Sequence, residues 1–212
     1  MLPILPLKTV LVPDITLTVQ IEEGRYRSLV ERCAKNEKDL VVVFCSDYNN
    51  ELASLSKVGC KARVERIDTS YEGVVEVRIK ALERVRFSET LTNLNIHYAM
   101  GVGILKDIVN LEVGDPLLAS VFKVYQSYIS ELADFNTEML QEEFLSTITP
   151  KDSFKFLSSV SLTLKDRQKA LEITFAKERF EFILSCLHLE IDMLSFFMAK
   201  TQEANMVKVV LN

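Results

Sequence analysis

The stretch KVGCKARVERIDTSYEGVVEVRIKA, residues 57–81, decides the fold class. Its first arm sets Val58, Cys60, Ala62 and Val64 on one parity and Gly59, Lys61, Arg63 and Glu65 on the other. Its second arm repeats the pattern, with Val75, Val77, Ile79 and Ala81 against Glu76, Arg78 and Lys80. Successive side chains of a strand point to opposite faces, so a period of two means a strand with one buried and one solvated face. DTSYEG, between the arms, has turn formers at both ends. Two alternating strands joined by a short polar turn predict an antiparallel hairpin.

Outward from the hairpin, Val85–Thr90 predicts a third strand after a break near Ala81–Arg84. DLVVVFC (39–45) is a continuous apolar run and predicts a central strand. YAMGVGIL (98–105) predicts another, with two glycines that suggest a bulge or a close backbone approach. The opening MLPILPLKTVLVPDITLTVQI is no secretory signal: no charge precedes its apolar run, prolines interrupt it and no small-residue cleavage site follows. Lys8 and Asp14 cut it well short of the roughly 18 apolar residues of a membrane span. It reads as a strand, a tight connection and a second strand. Pro3, Pro6 and Pro13 are expected at strand ends, because proline brings no amide donor to a ladder. EEGRYRSLVERCAKNEK (22–38) sets Tyr26, Leu29, Val30 and Cys33 at helical spacing. One helix on five or six short antiparallel strands predicts a small barrel, closed so that no edge stays free.

After about residue 112 the period changes. Asp115 is a good N-cap and Pro116 suits the first helical position. Leu117, Leu118, Val121, Val124, Tyr125, Tyr128, Ile129 and Leu132 then form one helical face. A short helix is expected around 137–147, through Met139, Leu140, Phe144 and Leu145. Another starts at Thr149-Pro150 and carries the stripe Phe154, Leu157, Val160 and Leu164. LKDRQKALE supplies a short helix near 165–172. Thr174 is expected to cap the longest helix, about 175–200, with Phe180, Ile183, Leu184, Leu187, Ile191 and Leu194 on its face. The predicted class is α+β: an antiparallel β-barrel with one packed helix over 1–110, then an α-helical bundle over 111–212 ending in a long helix. The segment 106–114 is short and not Gly/Ser-rich, so the halves are expected to dock.

The net charge is −5 and the sequence pI about 5.3. Positive runs such as Lys61–Arg66 alternate with Glu65, Glu76 and Glu83, so the field that would draw phosphates cancels. Cys33, Cys45, Cys60 and Cys186 lie at no metal-ligand spacing and have apolar neighbours, which predicts buried, reduced thiols and a cytoplasmic setting. His97 and His188 fall in no H-E-x-x-H pattern, and no G-x-x-x-x-G-K-[ST] or G-x-S-x-G motif occurs. GVGILK (101–106) lacks the second half of a phosphate loop. The pairs Glu22–Glu23 and Glu142–Glu143 read as solvated helix residues. No catalytic residues, metal site or cofactor are predicted, and the residues point to a binding protein.

LPILPLKTVLVPDITLTVQIEEGRYRSLVERC (2–33) resembles the opening of the Lon protease N-terminal domain, with its L-P-[LIV]-[LIV]-P-L strand, proline-bearing turn and apolar strand leading to a helix. VGCKARVERI resembles that family's V-G-T-x-A-x-[IV] strand through Val58, Gly59, Ala62 and Val64. VRIKALERVRFSE is similar to its V-x-[LIV]-x-G-x-x-R-[FV]-x-[IF] strand through Val77, Ile79, Arg84 and Phe87. The helical half resembles the family through Gln168, Leu171, Glu172, Arg179, Phe180, Ile183, Leu187, Glu190 and Ile191. Ala81 stands where the family has glycine, Val12 where it often has an aromatic, and SDYNNELASLSK is a shortened acidic insertion. The chain carries neither the ATPase module nor the Ser/Lys peptidase of the full-length protease.

The resemblance implies a PUA-like barrel followed by a helical bundle. It also implies a non-catalytic module that recognises unfolded or exposed polypeptide segments, mediates assembly, or both, either standing alone or as the N-terminal part of an ATP-dependent protease. Leu11, Val12 and Pro13, in the connection after the first strand, are the expected polypeptide-binding surface; the other reading is that Leu11 and Val12 close the barrel's end. Leu194, Phe196, Phe197 and Met198 are the expected assembly surface, or else core. The alternative function is a PUA-like nucleic-acid or small-ligand binder, which the acidic pI and the mixed-sign strands disfavour.

Overall fold

The computed structural model describes residues 1–22, 24–69, 75–108, 110–112, 114–132 and 152–210, without the side chains of 50, 51, 69, 131, 198, 199 and 201–210. The helix expected around 137–147 and the Thr149-Pro150 start lie outside the described residues, as does most of the DTSYEG turn. The chain forms two compact units, Met1–Asp107 with Thr163–Thr174, and Ile108–Leu162 with Phe175–Asn212.

The first unit is a sheet. Its strands are β1 (Leu2–Leu7), β2 (Thr16–Ile21), β3 (Leu40–Phe44), β4 (Val58–Thr69), β5 (Val75–Arg86), β6 (Glu89–Asn93), β7 (Ile96–Met100) and β8 (Gly103–Ile104). The predicted hairpin is β4–β5, with Val64 opposite Ile79 and Ala62 opposite Ala81. β3 is buried from Leu40 to Val43, with Phe44 half-buried, and lies between β4 and β1. The order is β2-β5-β4-β3-β1-β7-β6, with β8 on β5.

Two expectations change. The sheet is mixed, because β1 and β3 run parallel from Ile4↔Val41 to Leu7↔Phe44. Parallel strands need a long crossover, here supplied by β2 and helix α1 (Gly24–Lys35). And the path is not closed into a barrel, since no pairing among the described residues joins the end strands β2 and β6. Local alternation reports which face of a strand is buried, and nothing in it reports a neighbour as distant in sequence as Val41 is from Ile4.

The break expected near Ala81–Arg84 is a bulge in one continuous strand. Lys61 opposes Glu83 while Ala62 opposes Ala81, so Leu82 is the extra residue. The phase shifts, and Arg84 is buried where strict alternation would put an even-numbered residue outside. Pro3 and Pro6 lie inside β1 and not at its ends. Cys45 N–H donates to the Leu7 carbonyl. By alternation the main chains of Pro3, Leu5 and Leu7 turn toward β3, and those of Ile4 and Pro6 turn away. Pro3 precedes the first β3 pair and Pro6 faces outward, so neither is asked for a ladder donor. Gly59 is required by a close approach, because a Cβ there would sit 2.3 Å from the Val42 carbonyl oxygen. The core of this face is Ile4, Val41, Val43, Cys45, Leu55, Val85, Phe87 and Ala99. Helix α1 buries Tyr26, Leu29, Val30 and Cys33, the predicted four. A 3₁₀ turn (Tyr48–Asn50) and α2 (Glu51–Ser54) follow β3.

Arg84 holds the return of the chain. Its guanidinium donates to the carbonyls of Leu171 at 2.6 Å and Ile173 at 2.8 Å and pairs with the carboxylate of Asp107. Those carbonyls end helix α5 (Leu164–Glu172), which therefore belongs with the sheet. Thr163 caps its start, accepting from Asp166 N–H. Gln168 donates to the Val58 carbonyl at 3.1 Å.

The second unit contains α3 (Pro116–Glu131), α4 (Ser153–Ser159) and α6 (Ala176–Val210). Asp115 caps α3 through Leu117 N–H at 2.9 Å, with Pro116 in the first turn. Val121, Phe122 and Tyr128 of α3, Phe156 and Leu157 of α4, and Phe180, Ile183 and Leu187 of α6 are all buried. Arg179 is fully buried, stacked over Phe154 at 4.2 Å, and its Nε donates to the Ser153 hydroxyl at 2.7 Å. Phe175 forms a parallel bridge with Ile108.

Replacing Arg84 by Met strands the Asp107 carboxylate and two helix-end carbonyls. The expected loss of unfolding free energy is about 3 kcal/mol. In a urea titration the midpoint falls while the slope is unchanged.

Candidate functional site

β1 leaves the sheet at Leu7, and β2 ends at Ile21 against the start of α1. Between these ends lies a groove of about 330 Å³, lined by Leu5, Pro6, Leu7, Lys8, Gln20, Ile21, Glu22, Tyr26 and Tyr48. Leu5, Leu7, Ile21 and Tyr26 are buried and make its apolar floor. Lys8, Gln20 and Glu22 are exposed and make a rim with one charge of each sign.

Tyr48 is the wall. Its hydroxyl donates to the Pro6 carbonyl at 3.3 Å, and the Lys8 ammonium lies 5.0 Å from its ring centroid. The loop that presents it is built locally. Asp47 Oδ1 accepts from Asn49 N–H at 2.9 Å, and the Ser54 hydroxyl donates to the Asp47 carbonyl at 2.7 Å. An apolar floor with a few fixed polar groups around it fits apolar side chains on a polar backbone. Among the described residues no cluster of three or more His, Cys, Asp or Glu side chains could hold a metal ion.

The residues expected from the sequence lie elsewhere. Leu11 and Val12 are only 4% and 3% exposed, and Pro13 is buried. The exposed surface expected at 11–13 is therefore not there. The Cys60 thiol donates to the Leu11 carbonyl at 3.1 Å, and Val10, Leu11 and Val12 pack inward together. On α6, Leu194 is half-buried while Phe196 and Phe197 are 56% and 60% exposed; the Met198 side chain lies outside the described residues. Leu189 and Met193 are also exposed, so the apolar stripe runs 189, 193, 196, 197 at helical spacing. Sequence reasoning missed Lys8, Tyr26 and Tyr48 as groove residues. The readable signal was an aromatic in a polar turn, SDYNNEL.

Lys61, Arg63 and Arg78 of the β4–β5 hairpin are each paired with a carboxylate. Asp39 pairs with Lys61 at 3.3 Å and Arg63 at 2.8 Å, Glu83 pairs with Lys61, and Glu65 pairs with Arg78.

A family model described as the ATP-dependent protease La (LON) substrate-binding domain matches residues 1–188. The Lon protease of Cytophaga hutchinsonii is 26% identical over 202 residues, covering 91% of this chain and 24% of that protein. The Lon protease of Escherichia coli K12 is 23% identical over 204 residues, covering 91% and 25%. The chain thus spans about a quarter of the length of these curated relatives. A crystal structure of a Lon N-terminal domain protein from Xanthomonas campestris superposes with a TM-score of 0.66 at 19% identity, over 87% of this chain and 96% of that one. The N-terminal domain of Mycobacterium avium complex Lon protease gives 0.65 at 12% identity, over 88% and 97%. At these identities the two structures speak to the fold.

Burial at the Leu11 anchor has a titration signature. It pushes the Cys60 thiol far above its ordinary value, against the opposing pull of Arg84, and burial raises Cys33 too. The native chain keeps protons that the unfolded chain gives up. The expected stability is full below the ordinary thiol pKa of about 8.5 and falls as pH rises beyond it. A urea-midpoint series from pH 7 to 10 reads this, and Cys60→Ala flattens part of the decline.

Proposed function

The chain belongs to the substrate-binding domain family of the ATP-dependent protease La (Lon), and from that membership we propose that it is a non-catalytic module that binds unfolded or exposed polypeptide segments at the groove of Leu5, Leu7, Ile21, Tyr26 and Tyr48. One observation carries this reading: the groove joins a buried apolar floor to a rim of opposite charges, which suits a polypeptide better than an anion. The carboxylate-paired Lys61, Arg63 and Arg78 of the β4–β5 hairpin and the net charge of −5 speak against the nucleic-acid alternative. Among the described residues no helix is long and apolar enough to cross a membrane. The four cysteines are buried thiols in no disulfide, which supports a reducing, cytoplasmic setting.

A reduced, alkylated model protein tests the proposal by fluorescence anisotropy. The expected result is binding that native protein and RNA do not compete away, weakened roughly fivefold to tenfold by Tyr48→Ser, the loss of one aromatic anchor. Displacement of the unfolded chain by RNA, itself lost as salt rises, would sink this reading and restore the nucleic-acid one.

A second reading rests on the stripe Leu189, Met193, Phe196 and Phe197, an exposed apolar patch of the kind that marks interfaces. It supports self-association. Sedimentation equilibrium is expected to show a concentration-dependent dimer that Phe196→Glu weakens by about tenfold or more, the effect of charging a desolvated aromatic anchor. A wild-type chain that stays monomeric at roughly 100 μM, weak even for a transient interface, would exclude it.

A further inference from the structure

The ends of the sheet path are not alike, and β2 differs from every other exposed strand. Ala81 N–H donates to the Ile15 carbonyl, and the β2–β5 register runs from Thr16↔Lys80 to Ile21↔Val75. Alternation turns the main chains of Leu17, Val19 and Ile21 toward β5 and those of Thr16, Thr18 and Gln20 outward. Among the described residues nothing pairs with those outward N–H and C=O groups. Exposed edges of this kind are normally blunted by proline, charge or a bulge. TLTVQI has none of these and is rich in strand formers. The part of β1 past its β7 pairs at Leu2 and Pro3 shows what blunting looks like: Pro6 brings no amide hydrogen to that free side, and the Tyr48 hydroxyl occupies the Pro6 carbonyl. β6 carries Glu89 and is exposed along most of its length.

The open edge also leads into the groove. Gln20, the last outward-turned residue of β2, and its neighbours Ile21 and Glu22 line the cavity. We propose that the outward edge of β2 binds an extended polypeptide segment by strand addition, pairing main chain to main chain at Thr16, Thr18 and Gln20 and passing a side chain into the groove floored by Leu5, Leu7, Ile21 and Tyr26. This rests on the polypeptide-binding reading above and specifies its mode. The occupant is an uncharged stretch of apolar and β-branched residues in extended form. Only a peptide backbone supplies donors and acceptors at the two-residue repeat that the edge presents. Main-chain pairing gives affinity without fixing sequence, as recognition of unfolded chains requires.

The probe is a fluorescein-labelled octapeptide, Lys-Thr-Val-Thr-Leu-Thr-Val-Lys, measured with the full chain. It is compared with two versions N-methylated at alternate amides, offset from each other by one residue. Strand addition uses amides of one parity only. The expected result is that one methylated version binds at least tenfold more weakly and the other binds like the parent. Thr18→Pro removes one outward amide and leaves the β2–β5 ladder intact. It is expected to weaken the parent peptide severalfold, while Thr18→Val does not. If Thr18→Pro fails to fold, the parity contrast on the wild-type chain still decides.

Equal binding of both methylated versions, together with capture of the reduced, alkylated protein, overturns strand addition and leaves the groove reading standing. Failure of the wild-type chain to capture either probe overturns both. A dimer that Thr18→Pro abolishes, with no peptide bound, overturns the proposal in favour of a second copy on this edge.

Discussion

A buried guanidinium organises the first unit. Arg84 is 3% exposed, and a charge in that position is tolerable only when its donors are matched by acceptors of fixed geometry. The Leu171 and Ile173 carbonyls and the Asp107 carboxylate provide them, from residues 23 to 89 positions away. Meeting this one demand places the end of α5 and the last residue before Ile108 beside the same strand. A bulge at Leu82 turns Arg84 inward in the first place, so one extra residue in β5 decides how the chain returns to its sheet. Phe175 and Ile108, the next residues on each branch, then pair in parallel.

With that return fixed, the sheet unit is left with edges, and the edges differ in kind. β1 is interior to the strand path, and the stretch of it past its β7 pairs at Leu2 and Pro3 is protected by Pro6 and by the Tyr48 hydroxyl, devices that also build the groove wall. β2 is not protected. Blunting the free side of β1 while leaving β2 open beside an apolar cavity is the asymmetry on which the proposed strand addition rests. Leu11, Val12 and Pro13 play a different part: they pack inward and hold the β1–β2 connection through the Cys60 thiol. The prolines of the opening stretch shape this corner, one by sparing a ladder that has not begun and one by silencing an edge.

Several of the residues that carried the family resemblance prove to be structural. Gly59 admits the Val42 carbonyl, Arg84 and Gln168 hold α5 to the sheet, and Arg179 is sealed over Phe154. The stretch 2–33, which also carried the resemblance, holds every groove residue except Tyr48, yet its pattern marked strands and a helix and not a groove. Gly59, Arg84, Gln168 and Arg179 mark close approaches and buried networks, whereas the groove wall Tyr48 sits in a polar turn with no motif of its own.

Sequence by itself determined the elements whose cause is local. The β4–β5 hairpin, the four buried residues of α1, the Asp115 cap and the change of period near residue 112 all follow from side-chain spacing and termini within a few residues. Tertiary structure alone decided the parallel pairing of β1 with β3, the open strand path, the assignment of α5 to the sheet and the groove at Tyr48. Each of those depends on partners dozens of residues apart. Alternation tells a strand which face to bury and says nothing of which backbone it will find alongside, and that choice is made only when distant hydrogen-bonding groups and charges must all be satisfied at once.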